Sequence, residues 1–399
     1  MTFDVAAVRS SFPALSDGTA YFDNPGGTQV PRQVATAVAD TLCAGISNRG
    51  TVTAAERRAD AVVSLARTAV ADLLGCEAGG VVFGRSMTTL TYDMARALAK
   101  QWGPGDEVVV TRLDHDANIR PWVSAAEGAG ATVRWVDFDR TSAELPLAAV
   151  EAQLSARTRL VAVTGASNLF GTRPDIPAIT DAAHRVGALA YVDGVHLTAH
   201  SPVDVTELGA DFYACSPYKF FGPHHGVLVA SPDLLGAVHP DKLLPSTNSV
   251  PERFEMGTLP YELLAGTTAA VDFLAGMAST ARDRRSRLLE SMAAAEVYEQ
   301  ELFERLLEGL AMNDAVTLHG SPGQRTPTAV FTVAGRASSD VHSHLAGRGV
   351  NAPAGSFYAI EAARWFGLGD AGAVRAGIAP YTDADDVDRL VDGVAELSR

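Results

Sequence analysis

Between about residue 80 and residue 230 the chain alternates short apolar runs with stretches of helical period. The runs are VVF (81–83), EVVVT (107–111), TVRWV (132–136), LVAVT (160–164), LAYVD (189–193), DFYAC (211–215) and GVLVA (226–230). They are short, rich in β-branched and aromatic residues, and apolar throughout rather than alternating. That pattern predicts strands buried on both faces. TLTYDMARALAK (89–100) and IPAITDAAHRVG (176–187) repeat apolar residues at helical spacing between them. Strand–helix alternation of this kind predicts an α/β fold, with a mostly parallel sheet of seven strands covered on both sides.

A second region is expected from about residue 262. A long amphipathic segment, 281–310, carries apolar residues at helical spacing, and shorter strands and helices follow it. The last helix is expected over TDADDVDRLVDGVAEL (382–397). Thr382, Asp383 and Asp385 suit its N-terminus, where they meet unpaired N–H groups and the positive end of the dipole. The expected division is a large unit over 16–261 and a smaller C-terminal α+β unit made of 1–15 and 262–399. No internal repeat or low-complexity segment interrupts it.

Composition narrows the function classes. The chain has 399 residues, 47% hydrophobic and 20% charged, as in ordinary globular proteins. A net charge of −15 argues against nucleic acid or an anionic membrane surface as partner. No apolar run approaches the roughly 18 residues of a membrane span. MTFDVAAVRSSFPAL lacks the basic and apolar regions of a secretory signal. Cys43, Cys76 and Cys215 have no CxxC spacing, so neither a metal site nor a disulfide framework is expected. A cytoplasmic protein with reduced thiols is the expectation.

Ligands of open α/β sheets sit at the carboxyl ends of the strands, so the polar residues there are the candidates. After VVF, Gly84 and Ser86 lead into a helix starting near Met87 or Thr88. Such a turn can hold a phosphate on helix N–H groups, or can be an ordinary cap. After EVVVT comes His115, and after LVAVT comes Asn168, which binds a ligand or shapes a turn. Asp193 ends its own strand, followed by His196. Lys219 follows DFYAC in the stretch SPYK, 26 residues after Asp193. If the two strands are neighbours, an acid and a lysine face one cleft. The bland reading is a buried ion pair. The sharper one is a lysine, activated by desolvation, that covalently holds an aldehyde. A pyridoxal 5′-phosphate site needs such a lysine, an aspartate for the pyridine nitrogen, a helix N-terminus for the phosphate and a flat group over the ring. Ser86–Thr88, His115, Asp193 and Lys219 make up that set.

These residues resemble the class V aminotransferase family of fold-type I pyridoxal-phosphate enzymes, and most closely its cysteine desulfurase branch. The resemblance runs from YFDNPGGTQVP (21–31) to RAGIAPYTDADDVDRLV (375–391). It implies that Lys219 bonds the cofactor, Asp193 pairs with the pyridine nitrogen and His115 stacks on the ring. Ser86, Met87, Thr88, Ser216 and Tyr218 would hold the phosphate, with Tyr218 where a histidine is common. His196 stands where a glutamine often meets the ring hydroxyl. Asn168 and Arg375 match groups that hold the substrate carboxylate. Thr258, in RFEMGTLP, matches a residue that reaches the neighbouring subunit's phosphate, which implies a homodimer with shared sites.

One departure changes the expected chemistry. Desulfurases need a nucleophilic cysteine on the loop before the arginine, near Tyr358 here. The segment VNAPAGSFYAIEAARW (350–365) contains none. Ser356, Phe357 and Tyr358 stand in that loop and are expected to line a substituent pocket. A carbon–sulfur β-lyase on an S-substituted L-cysteine, giving thiol, pyruvate and ammonia, is the favoured expectation. Transamination, epimerisation and decarboxylation use the same residues and stay open. A catalytically idle cofactor-binding protein would not need Arg375, and a nicotinamide dehydrogenase would need a glycine fingerprint after the first strand.

Overall fold

Seven strands form the main sheet of the computed structural model, which describes residues 3–397. They are β1 (Val81–Gly84), β2 (Glu107–Thr111), β3 (Thr132–Val136), β4 (Thr158–Thr164), β5 (Leu189–Asp193), β6 (Phe212–Cys215) and β7 (Gly226–Val229). Their lateral order is β1-β7-β6-β5-β4-β2-β3. The pairings β3–β2, β2–β4, β4–β5 and β5–β6 are parallel. β7 runs antiparallel to both β6 and β1. This is the mostly parallel, seven-stranded α/β sheet that the apolar runs predict.

Side chains alternate between the two faces of a strand, and the core sorts accordingly. Val109, Val161 and Val163 join one buried cluster. Val108, Val110, Leu160 and Ala162 join another on the opposite face. Both faces are covered, so the sequence shows continuous apolar runs. β3 is the exception: it lies at the edge opposite β1, and there Thr132 is exposed while Val133, Arg134 and Trp135 are half-buried.

A second sheet has four strands in the order Ala354–Gly355, Ala373–Gly377, Thr328–Val333 and Val316–Leu318, all antiparallel. The helices Tyr261–Gly276 and Arg284–Ala311 precede it. The first of these is mostly apolar, with Leu264, Ala270, Val271, Phe273 and Leu274 all buried and Glu262 and Asp272 its only charged residues. It therefore leaves no amphipathic stripe in the sequence. The second begins at Arg284, because the Asp283 carboxylate accepts from Ser286 N–H and caps it there. The last helix, Ala384–Glu396, is capped by Asp383 in a capping box with Asp386. Thr382 lies outside it, and its hydroxyl accepts the Ala379 N–H at 3.0 Å.

The N-terminal segment touches both regions. Phe12 packs edge-on against Phe221, Phe273 and Tyr381, with ring centroids 5.2, 5.4 and 4.9 Å away. Arg9 pairs with Asp383 at 3.0 Å and Asp386 at 2.6 Å. Residues 1, 2, 398 and 399 of the expected smaller unit lie outside the described residues. Among the described residues, no helix is long and apolar enough to cross a membrane.

One close approach ties the sheet to its ligand-facing edge. Gly84 on β1 pairs with Gly226 on β7. A Cβ at Gly226 would stand 2.2 Å from the Ser86 carbonyl carbon and 2.4 Å from Met87 N. Gly226→Ala is expected to push this turn aside and to cost about 1–3 kcal/mol of stability. Gly236, on the helix Pro232–Ala237, has nothing within 4 Å of its added Cβ. Gly236→Ala should instead gain roughly 0.5–1 kcal/mol. Urea unfolding of both variants checks this, and equal stability of Gly226→Ala and wild type would refute the contact.

Candidate functional site

The parallel strands end on one edge of the sheet, and a cavity opens there. Ser86, Met87, Thr88, His115, Asn168, Asp193, His196, Ser216, Tyr218 and Lys219 all line this inner cavity, of about 70 Å³. An outer cleft of about 520 Å³ continues from it, bounded also by Arg120, Phe357, Tyr358 and Arg375. Twelve of the thirteen sequence-predicted site residues thus meet in one connected space. The thirteenth, Thr258, is exposed and lines neither part.

Each residue arrives by a simple route. β5 and β6 are neighbours, and Asp193 pairs in register with Ala214. The turn after β6, Pro217–Lys219, then carries Lys219 back over the strand ends. Lys219 is buried, its amine donates to the Pro25 carbonyl, and Nζ lies 5.1 Å from the centre of the Tyr218 ring. The Tyr218 ring is itself stacked on His224, with centroids 4.6 Å apart. Burial, then repulsion from Arg375, pulls the Lys219 amine down to about 7, against the attraction of Asp193 and Asp23.

Asp193 is buried, and its Oδ1 accepts the Val195 N–H at 3.0 Å. Burial pushes its carboxyl up to about 6, opposed by that hydrogen bond and by Lys219. His115 Nδ1 accepts the Ala117 N–H at 3.0 Å. Burial, with Lys219 and Arg375 nearby, holds the ring down to about 4. His115 is therefore neutral at pH 7 with its proton on Nε2. His196 is fixed in the same way. Its Nε2 lies 2.9 Å from Thr326 Oγ1 and 3.1 Å from Thr328 Oγ1. The Thr326 hydroxyl donates to the Gly171 carbonyl, so its oxygen accepts and His196 Nε2 carries the proton.

Ser86 caps the helix Met87–Ala99 by accepting the Thr89 N–H at 3.1 Å. The Met87 and Thr88 N–H groups, at the first turn, have no carbonyl to meet within the helix. They border the inner cavity with the positive dipole end behind them. On the opposite side, Arg375 comes from the second sheet, paired with Val330. Its Nη1 donates to the Asn168 carbonyl at 2.8 Å, and its guanidinium lies 3.7 Å from the centre of the Phe357 ring. Arg375 Nε and Asn168 Oδ1 are buried without partners. Burial brings the Arg375 guanidinium down to about 9, opposed by Asp23.

Several groups carry no signal in the sequence. The Pro25 carbonyl that meets Lys219 lies 194 residues away along the chain. Asp114 is buried, receives hydrogen bonds from Thr111 Oγ1 and Asn118 Nδ2, and is pushed up to about 8 by burial. It holds the turn that presents His115. Phe357 and Tyr358 line the outer cleft as expected, whereas Ser356 does not; only the contact of Phe357 with Arg375 had no sequence signal. No cysteine lines either part of the site: Cys215 is buried on β6, Cys43 is exposed and Cys76 is half-buried.

The chain can now be set beside known proteins. The family model for aminotransferase class-V matches residues 20–390. "Uncharacterized protein MT3887" of Mycobacterium tuberculosis is 37% identical over 401 residues, covering 100% of both chains. A cysteine desulfurase of Salmonella agona is 30% identical over 100% of this chain and 99% of its own. The crystal structure of the Escherichia coli cysteine desulfurase CsdA (S-sulfonic acid) superposes with a TM-score of 0.86 at 28% identity. It covers 99% of this chain and 98% of that one. Members of this family use pyridoxal 5′-phosphate. The cavity fits that group: it joins a lysine, a buried carboxylate and free helix N–H groups, and an arginine with an unpartnered Nε borders the adjoining cleft. The chain belongs to the class V aminotransferase family, as a pyridoxal-phosphate-dependent enzyme related to the cysteine desulfurases.

Proposed function

We propose that the protein is a carbon–sulfur β-lyase that cleaves an S-substituted L-cysteine into a thiol, pyruvate and ammonia. One observation carries this reading. The cleft wall facing Lys219 and His115 is built from Phe357 and Tyr358, and no cysteine lines the site to take up sulfur. Bound pyridoxal 5′-phosphate supplies an electron sink next to the substrate Cα. Lys219 would hold its aldehyde, Asp193 would pair with its ring nitrogen, and His115 would cover the ring. Ser86, Met87, Thr88, Ser216 and Tyr218 surround its phosphate. Arg375, aided by Asn168, receives the substrate carboxylate, for which the unpartnered Nε is suited.

Once the substrate amine displaces Lys219 from the aldehyde, the freed Lys219 amine would take the Cα proton as general base. The thiolate departs with the electron pair of the Cβ–S bond, water is consumed, and pyruvate and ammonia leave. Thr258 is exposed, as are Leu243, Leu244 and Met256 near it in sequence. We read this surface as the contact with a second copy, which Thr258 would serve. Sedimentation as a single chain in the cofactor-loaded state would remove that part.

The lyase reading is tested by incubating the loaded protein with S-methyl-, S-benzyl- and S-carboxymethyl-L-cysteine and with free L-cysteine. Pyruvate is expected in step with released thiol. Lys219→Ala should lower the rate by about 10³-fold or more. Arg375→Ala should raise KM by about 10–100-fold with a smaller effect on kcat. Keto acid or inverted amino acid without pyruvate would overturn the lyase assignment in favour of transamination or epimerisation.

The lowered Lys219 amine has a pH consequence. An amine reacts with an aldehyde only when neutral, and this one loses its proton near 7 rather than near 10.5. Below pH 6 the amine is protonated and loading of apo-protein with pyridoxal 5′-phosphate should be slow. The rate should climb through pH 7 and flatten above about pH 8. Stopped-flow absorbance of loading checks this; a rate still rising steeply at pH 9 would contradict the buried, desolvated amine.

A further inference from the structure

The backbone is unusual where the outer cleft is walled. Phe357 and Tyr358 are consecutive residues with φ of 55° and 58°. Neither is glycine or asparagine, so the left-handed conformation strains both. The surroundings hold them there. Asn168 Nδ2 donates to the Phe357 carbonyl at 2.9 Å, and the Asp116 N–H donates to the Tyr358 carbonyl at 2.8 Å. The Ala359 N–H closes the turn on the Ser356 carbonyl at 2.8 Å. Behind it, Glu361 binds Arg112 at 2.8 Å and also Arg120. The result of this fixation is a tyrosine ring 77% exposed to solvent, facing His115 with centroids 5.7 Å apart and planes 28° apart.

The charges of the cleft are already spoken for. Arg120 is paired with Asp116 at 2.8 Å and with Glu361. Arg375 is the group left for a substrate carboxylate. What remains for the rest of a substrate is a set of rings, those of Tyr92, Tyr218, Phe357 and Tyr358. The outer cleft of about 520 Å³ also has to take in part of the cofactor and the amino-acid end of the substrate, and these rings bound the remainder.

We propose that Tyr358 is a specificity-determining residue and that the cleft takes an aryl or arylalkyl substituent on the substrate sulfur. This rests on the reading that an S-substituted cysteine is the substrate. The strained turn spends backbone energy to keep an aromatic surface open beside the reacting atoms, where a second ring can lie against it.

Two readouts separate this inference from the lyase reading. Affinity is measured by the absorbance change of the loaded protein on titration with S-benzyl-, S-methyl- and S-carboxymethyl-L-cysteine, and pyruvate is measured separately. S-benzyl-L-cysteine is expected to bind about tenfold more tightly than the S-methyl compound. Tyr358→Ala should bring that ratio close to one, and Tyr358→Phe should retain most of it. Equal affinities in the wild type, tightest binding of the carboxymethyl compound, or an unchanged ratio in Tyr358→Ala would overturn the proposal. The benzyl preference without pyruvate would sink the lyase reading and leave the cleft assignment standing. Pyruvate formed equally well from every conjugate, with no difference in affinity, would do the reverse.

Discussion

Two cations share one water-poor space in this protein, and the rest of the site is arranged around that fact. Lys219 and Arg375 are both buried, and burial lowers the proton affinity of each. Desolvating a charge is costly unless a partner compensates. The compensation within the chain is partial: Asp193 and Asp23 attract Lys219, yet burial raises both of these acids as well. A site with lowered bases, raised acids and unpartnered atoms such as Arg375 Nε is poised for an anionic ligand. A phosphate at the helix N-terminus and a carboxylate at Arg375 would each supply the missing negative charge.

The fold makes that arrangement rigid. Asp193 ends β5 and Lys219 lies on the turn that follows the neighbouring β6, so the ladder and that short turn set their spacing. Arg375 comes from the central part of another sheet and is anchored by the Asn168 carbonyl on the first. The phosphate-facing turn is pressed against β7 at Gly226, where even a methyl group has no room. Polar groups on such elements move little, so the neutral forms of His115 and His196 are fixed by the backbone and by threonine hydroxyls.

What could be read from the chain followed the range of the interactions. Strands β1, β2 and β4–β7 were legible because both faces are buried, which leaves an unbroken apolar run. Lys219, Asp193, His115 and Ser86 were legible because strand ends are where an α/β sheet puts its chemistry. The helix Tyr261–Gly276 was not, since a mostly apolar helix with only Glu262 and Asp272 charged has too weak a polar face to mark its period. Thr382 looked like a helix cap, but Asp383 had Asp386 three residues on to complete the box. The Pro25 carbonyl and Asp114 were invisible because each acts through a partner set by tertiary contact. Arg375 and the Asn168 carbonyl, for example, are 207 residues apart in the chain.

The turn at Phe357 and Tyr358 also bears on how this chain differs from its desulfurase relatives. A residue that must carry an atom from one site to another needs a segment free to move. Here the segment is fastened by Asn168 on one side and the Asp116 N–H on the other, and Phe357 lies flat on the arginine. Movement of the turn would break both hydrogen bonds and uncover the Arg375 guanidinium. A fixed wall suits a reaction in which the leaving group departs by itself and the protein has only to recognise it. Relaxing the turn would disturb Arg375, the group proposed to hold the substrate carboxylate.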